Sequence, residues 1–275
     1  NGFHNTVLDE SGRVESPGFV SDYQRWFERN KTGDYGFTDH GIDWNSWMAR
    51  PYHAPEFLHP TNWTVNESLR FLQDRDPTMP FFLKMSFARP HSPYDPPPYY
   101  FELYEKKPLP EPHVGDWAAM HDVPRDAANP NAWRGRRSPE EIRRARAGYY
   151  GLITHIDHQI GRLLAYLRKT GQFENTMIVF TSDHGDMLGD HHLWRKTYAY
   201  EGSAHIPLIV RLPRSMRDSV AARVDQPVCL QDIMPTLLEA AGVDIPDSVD
   251  GKSLLPLIHG EAAAWREYVH GEHST

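Results

Sequence analysis

An α/β fold is predicted, with a mostly parallel sheet sandwiched by helices and incomplete within this chain. Three observations predict it. Stretches with helical apolar period alternate with short apolar runs of strand length, and a polar turn bearing glycine directly follows one of those runs. The third is size: the 275 residues are 39% hydrophobic and 12% aromatic, which is enough to build a core and rules out global disorder.

Residues 1–60 read as an irregular, loop-rich region expected to belong to the same domain. Gly, Pro, Asp, His and Trp are scattered there without sustained period. Ser21 can cap one short helix over residues 19–27, where Phe19, Tyr23, Trp26 and Phe27 can share a face. Trp44, Trp47, Tyr52 and Phe57 are expected to hold the surrounding loops, which have the character of a substrate-facing lid. From Thr64 to Leu72 a helix is predicted with Val65, Leu69 and Leu72 inward, ending near Asp76-Pro77. Pro80 to Phe87 is an apolar run of strand length. The proline-rich stretch 88–98 after it can be neither helix nor central strand, and residues 99–137 form an excursion bearing Pro, charge and Trp.

Ser138-Pro139-Glu140-Glu141 is a helix start: a cap, a proline at the first position and acids in the first turn. Ile142, Tyr149, Ile153, Ile156, Ile160, Leu163, Leu164 and Leu167 form its apolar stripe, and Gly171 ends it. Met177–Phe180 and Ile206–Leu212 are expected as short buried strands. Asp232 can cap a helix over Ile233–Ala241, closed by Gly242. Residues 61–260 make up the α/β domain on this reading, and 261–275 begin a further segment. The chain starts at Asn1 without a methionine and stops at Thr275 without a helix stop, so an internal piece of a longer protein, or a processed product, is expected.

Composition excludes several classes. There are 29 Lys and Arg against 37 Asp and Glu, a formal charge of −8, which argues against broad nucleic-acid binding. A single cysteine, Cys229, allows no internal disulfide and no cysteine zinc knuckle; it reads as a buried small apolar residue. No apolar run approaches the roughly 18 residues of a membrane span. Neither a Gly-x-Ser-x-Gly elbow nor a Gly-x-x-x-x-Gly-Lys-Ser/Thr phosphate loop occurs.

The sharpest chemical feature is Asp183-His184-Gly185 directly after a strand. Ligands of open α/β sheets bind beyond the carboxyl ends of strands, and Gly185 lets the backbone turn. Asp183 and His184 offer one hard oxygen and one nitrogen to a divalent cation, and further ligands must come from elsewhere. Lys196, soon after, could grip an anionic oxygen as a point charge or be a solvated loop lysine. His91, between Pro90 and Pro93, has little backbone freedom and could bond an anion or protonate a leaving group, or be bonded to backbone. His191 and His192 read as loop residues, solvated or hydrogen-bonded. His155 and His158, three apart on the long helix, read as structural.

These segments resemble the sulfatase family, within the alkaline-phosphatase-like superfamily. Residues 148–164, with Asp157 and Gly161, resemble its long helix. Residues 175–191, with Asp183-His184-Gly185 and Gly189, resemble its metal strand and loop. Residues 196–207, with Tyr200-Glu201-Gly202-Ser203, resemble the segment bearing the anion-binding lysine. Gln231-Asp232 through Gly242 resembles the helix that follows, and Phe81–Pro96, with Pro90-His91-Ser92-Pro93, the segment bearing the substrate histidine. The resemblance implies that Asp183 and His184 are metal ligands, that Lys196 binds the sulfate oxygens, and that His91 contacts the sulfate or the bridging ester oxygen. Calcium is the first expectation, with Mn²⁺, Mg²⁺ or Zn²⁺ admitted by the imidazole, because many relatives carry Asn where His184 stands. The family's nucleophile, a formylglycine made within a Cys/Ser-x-Pro-Ser-Arg motif, has no counterpart here and is expected upstream, as is an aspartate pair completing the metal site. The implied activity is hydrolysis of a small-molecule or carbohydrate sulfate ester. The alternatives are a phosphonate monoester or phosphodiester hydrolase of the same superfamily, or an inactive fragment or binding module.

Overall fold

Ser21 behaves as its sequence position predicts: its hydroxyl accepts the Gln24 amide at 3.1 Å and starts helix α1, Asp22–Asn30. Tyr23 and Phe27 are buried, with Phe37, Tyr52, Leu58 and Trp63 around them and Trp26 packed alongside. Phe19 departs from the expectation. It lies before the helix and is 50% exposed, because the helical period that would turn it inward begins only at Asp22. Phe57 also points outward, whereas Tyr52 is buried.

The computed structural model describes residues 2–10, 18–123, 129–196, 198–261 and 264–271. They fall into two compact units, Asn1–Gly171 with His184–His205, and Gln172–Asp183 with Ile206–Thr275.

The first unit is helical. Helix α2, Pro60–Asp74, starts earlier than predicted because His59 caps it, its ring nitrogen accepting the Thr61 amide at 3.2 Å; Val65 and Leu72 are buried as expected. Helix α3 spans Pro98–Glu105. Helix α4, Pro139–Lys169, carries the complete capping box of Ser138 and Glu141. It packs against α2 and α3. Its buried face runs through Ala145, Gly148, Leu152, Ile156, Leu163 and Leu167, and it also takes in His155 and Gln159. Ile153 lies off that face and is 43% exposed. Two glycines make the close approach possible. A Cβ on Gly148 would stand 2.7 Å from the Ala49 Cβ, and one on Gly151 2.9 Å from the Tyr100 carbonyl oxygen. A second core joins Ala49, Tyr94, Phe101, Ala145, Leu152, Leu188 and Trp194. A short helix α5, Glu201–Ala204, completes the unit.

Pro80–Phe87 forms no strand among the described residues. Phe81, Leu83 and Met85 are half-buried while Phe82, Lys84 and Ser86 are exposed, which is strand periodicity, but the described residues supply no ladder to pair with it.

The second unit holds the sheet. Strand β1, Ile178–Thr181, pairs antiparallel with β2, Leu208–Arg211, in the register Ile178 to Arg211 and Thr181 to Leu208. Both strands appear where the apolar runs predict them. The sheet of the described residues nevertheless has this one antiparallel pair rather than a mostly parallel ladder. Nor are the strands fully buried: Phe180 is 40% and Ile209 62% exposed. Helices α6, Ile233–Ala240, and α7, Leu255–Ile258, follow. Asp232 sits at the N-cap of α6, but its carboxylate caps nothing there. It takes the Arg266 guanidinium at 2.6 and 2.7 Å and the amides of Cys229 and Lys252 at 2.9 Å each. Burial works against its charge, yet Arg266 and the two amides override it and hold the carboxyl below the usual carboxylate range. No described helix is long and apolar enough to cross a membrane.

Candidate active site

Lys196 and His91 meet, although 105 residues separate them in sequence: Nζ donates to Nε2 at 2.7 Å. The opposite ring nitrogen, Nδ1–H, donates to the Ser92 carbonyl at 2.8 Å. A carbonyl only accepts, so the proton sits on Nδ1 and Nε2 presents its lone pair to the ammonium. Trp44 stacks on the ring at 4.6 Å between centroids, and the His184 ring stands edge-on at 5.8 Å. Burial, then the charges of Lys196 and His184, push the His91 pKa down to about 4 against the opposing pull of the Ser92 carbonyl. The imidazole is therefore neutral at neutral pH. Of the two sequence alternatives, the backbone-bonded histidine is present, and the same ring is one partner of the lysine.

The peptide bonds preceding Pro90 and Pro93 are both cis, so His91 lies between two cis prolines. The segment that follows is pinned by Arg89, whose Nε and Nη2 grip the two oxygens of buried Asp95 at 2.7 and 2.9 Å.

His184 donates Nδ1–H to the Gly185 carbonyl at 2.8 Å, so its neutral form carries the lone pair on Nε2, one of the two ring nitrogens through which histidine can ligate a metal. Asp183 is exposed and follows β1 by two residues. One carboxylate and one imidazole of this tautomer suit a divalent cation but make an incomplete shell. Among the described residues no group of three or more His, Cys, Asp or Glu side chains is disposed to hold a metal ion. Gly185 has a different reason from the one its sequence suggests. It is not left-handed; instead its amide donates to the Ser203 carbonyl at 2.8 Å, and a Cβ would collide with the Gly202 carbonyl of α5.

His191 and His192 are loop residues as expected, both left-handed, with φ of 53° and 62°. His191 accepts the Gly115 amide on Nδ1 at 3.0 Å and lies against Trp117 at 4.5 Å between centroids. His155 is buried and donates Nε2–H to Asn62 Oδ1 at 2.6 Å, and His158 contacts the Tyr100 hydroxyl at 3.2 Å. Both belong to the packing of α2, α3 and α4.

Sequence reasoning missed Asp186, Tyr94 and Arg146. Asp186 accepts the Tyr94 hydroxyl at 2.7 Å and the amides of Leu188 and Arg195 at 3.0 Å each. Its position one residue beyond Asp-His-Gly was a signal; nothing marked Arg146, whose role depends on a carbonyl and a carboxylate more than 40 residues away.

The class is an α/β fold of the alkaline-phosphatase-like type. The structure resembles that of the phosphonate monoester hydrolase SpPMH from Silicibacter pomeroyi with a TM-score of 0.68 and 30% identity, covering 89% of this chain and 51% of that one. The sulfatase family model matches residues 16–243, and the chain belongs to the sulfatase family. It is 47% identical to an arylsulfatase of Clostridium perfringens over 99% of this chain and 59% of the relative. It is 36% identical to the multifunctional alkaline phosphatase superfamily protein PehA of Trinickia caryophylli over 81% and 46%. The chain thus spans about half the length of the curated relatives it matches.

Proposed function

We propose that this chain supplies the anion-binding side of a sulfuric ester hydrolase whose nucleophile lies outside it. The observation that carries the reading is the Lys196–His91 bond, 2.7 Å long, in a chain that belongs to the sulfatase family. Lys196 brings a fixed positive charge whose N–H groups can donate to sulfuryl oxygens. His91 holds the ammonium in place through a neutral ring that Trp44 and the Ser92 carbonyl keep from turning. Because the His91 ring is neutral and its remaining N–H is committed to Ser92, the mobile protons of the pair are on Lys196, and a bridging ester oxygen arriving between the two would meet an N–H of the lysine.

Asp183 and His184 would hold part of a divalent ion's shell, calcium first, with manganese, magnesium or zinc admitted by the imidazole. A formylglycine upstream would supply the nucleophilic oxygen, and the ion would polarise the sulfuryl oxygens. The substrate is a small-molecule or carbohydrate sulfate ester, a class supported by the arylsulfatase likeness.

In a full-length version assayed with 4-nitrophenyl sulfate, Lys196→Met should lower kcat/KM by about 10²–10³-fold, the usual loss on removing one fixed donor to a developing charge. Unchanged turnover would end the reading. The isolated 275 residues should release no sulfate. A second reading, hydrolysis of phosphonate monoesters, is supported by the 30% identity to SpPMH. A phenylphosphonate monoester turned over faster than the aryl sulfate would select it.

A further inference from the structure

We propose that Asp186 is a positioning residue that holds Lys196 against His91. The inference rests on the functional reading above only for the use made of that pair; the placement itself stands on the hydrogen bonds.

The loop from Asp186 to Lys196 is built in an unfavourable backbone region. Leu188, His191, His192 and Arg195 have φ of 46°, 53°, 62° and 64°, a left-handed conformation that residues with a Cβ avoid. Such a conformation persists only where the surroundings over-determine it. Asp186 supplies that determination at both ends. One oxygen accepts the amides of Leu188 and Arg195, two of the four left-handed residues, at 3.0 Å each. Arg195 is the immediate neighbour of Lys196. The other oxygen accepts the hydroxyl of Tyr94 at 2.7 Å. Tyr94 is 1% exposed and lies three residues beyond His91. A single carboxylate therefore ties the segment carrying His91 to the segment carrying Lys196. Two main-chain bonds close the loop beneath it, Met187 N to Arg195 O and Gly189 N to Leu193 O, each 2.8 Å. Those bonds fix the loop to itself; besides the Lys196–His91 contact, the Asp186–Tyr94 bond ties it to the His91 segment.

The test uses the 275-residue chain labelled with ¹⁵N and reads the His91 Nε2 resonance, which responds to the hydrogen bond it accepts from Lys196. Lys196→Met supplies the resonance of the ring without that donor. Asp186→Ala, checked for a cooperative melt, should move the resonance fully to the Lys196→Met value. Should Asp186→Ala not fold, Tyr94→Phe removes the Tyr94 arm while leaving both Asp186 oxygens, one of them for the two amides. It should move the resonance toward the Lys196→Met value. A parent-like resonance in a folded Asp186→Ala, or in Tyr94→Phe, overturns the proposal, as does a Lys196→Met chain in which the resonance does not move. No turnover is read in this experiment. A failed sulfatase reading shows instead as Lys196→Met keeping full activity, so the two failures are separable.

Discussion

Arg146 and Asp190 form an ion pair across 44 residues of sequence, Nη2 to Oδ1 at 2.7 Å, with the guanidinium side chain 7% exposed. The same guanidinium donates to the carbonyls of Leu188 at 3.0 Å and Pro110 at 2.7 Å, while Asp190 Oδ1 also accepts the His113 amide at 3.0 Å. One residue of α4 thus anchors the loop that leads to Lys196. Arg146→Met leaves two carbonyls without this donor and a partly buried carboxylate without its cation, held by the His113 amide. It should cost about 3 kcal/mol of unfolding free energy, toward the lower end for a broken buried pair because Asp190 retains some water. Urea unfolding measures it, and a loss below about 1 kcal/mol would show that the loop is anchored by other contacts.

The buried histidines His40, His59 and His155 make stability depend on pH. Burial pushes His40 down to about 4 and His155 to about 3, and puts His59 well below its ordinary value, the neighbouring His155 and Arg89 adding to the effect. A histidine held neutral in the folded state binds its proton first in the unfolded chain, near pH 6.5. Its contribution is complete above that pH and is lost as pH falls from about 6.5 toward about 4 for His40 and about 3 for His155. Each such group steepens the loss by up to about 1.4 kcal/mol per pH unit. Unfolding free energies between pH 7.5 and 4.5 should fall on this slope, and His155→Gln should flatten it. Ring resonances of these histidines titrating near pH 6.5 in the folded chain would refute the cause.

Much of the fold was legible because its signals are local. The Ser138 capping box, the Ser21 cap and the apolar runs at β1 and β2 each act within a few residues, and each lies where it was expected. The failures arise where the deciding contact is distant. Phe81–Phe87 has strand periodicity, but a strand needs a ladder. Asp232 has the position of a cap but is taken by Arg266, 34 residues away. At the site, His91 and Lys196 come together in the first unit, whereas Asp186 could not be assigned from sequence because its value depends on Tyr94, 92 residues earlier.

The Asp183–His184 pair carries the expectation of metal binding. In a full-length version, Asp183→Ala should remove the bound ion and the turnover together, since the carboxylate is the hard oxygen donor of the pair. Metal content by elemental analysis and kcat on an aryl sulfate read the two effects. A variant that keeps both removes Asp183 from the ligand set.

Two glycines of α4 should respond oppositely to the same substitution. At Gly148 an added Cβ would lie 2.7 Å from the Ala49 Cβ and 3.0 Å from the Tyr94 Cβ, closer than packed atoms approach. The helix would have to retreat from the core that holds Tyr94, and overpacking of this kind costs about 1–3 kcal/mol. That outweighs the roughly 1 kcal/mol of helix propensity gained on replacing glycine by alanine. At Gly161 nothing lies within 4 Å of the added Cβ. There the propensity gain stands alone, and Gly161→Ala should stabilise the chain by about 0.5–1 kcal/mol. Thermal melts of the two variants should therefore move in opposite directions. A Gly148→Ala chain melting at or above the parent would mean that α4 does not approach residues 49 and 94 as closely as the structure places it.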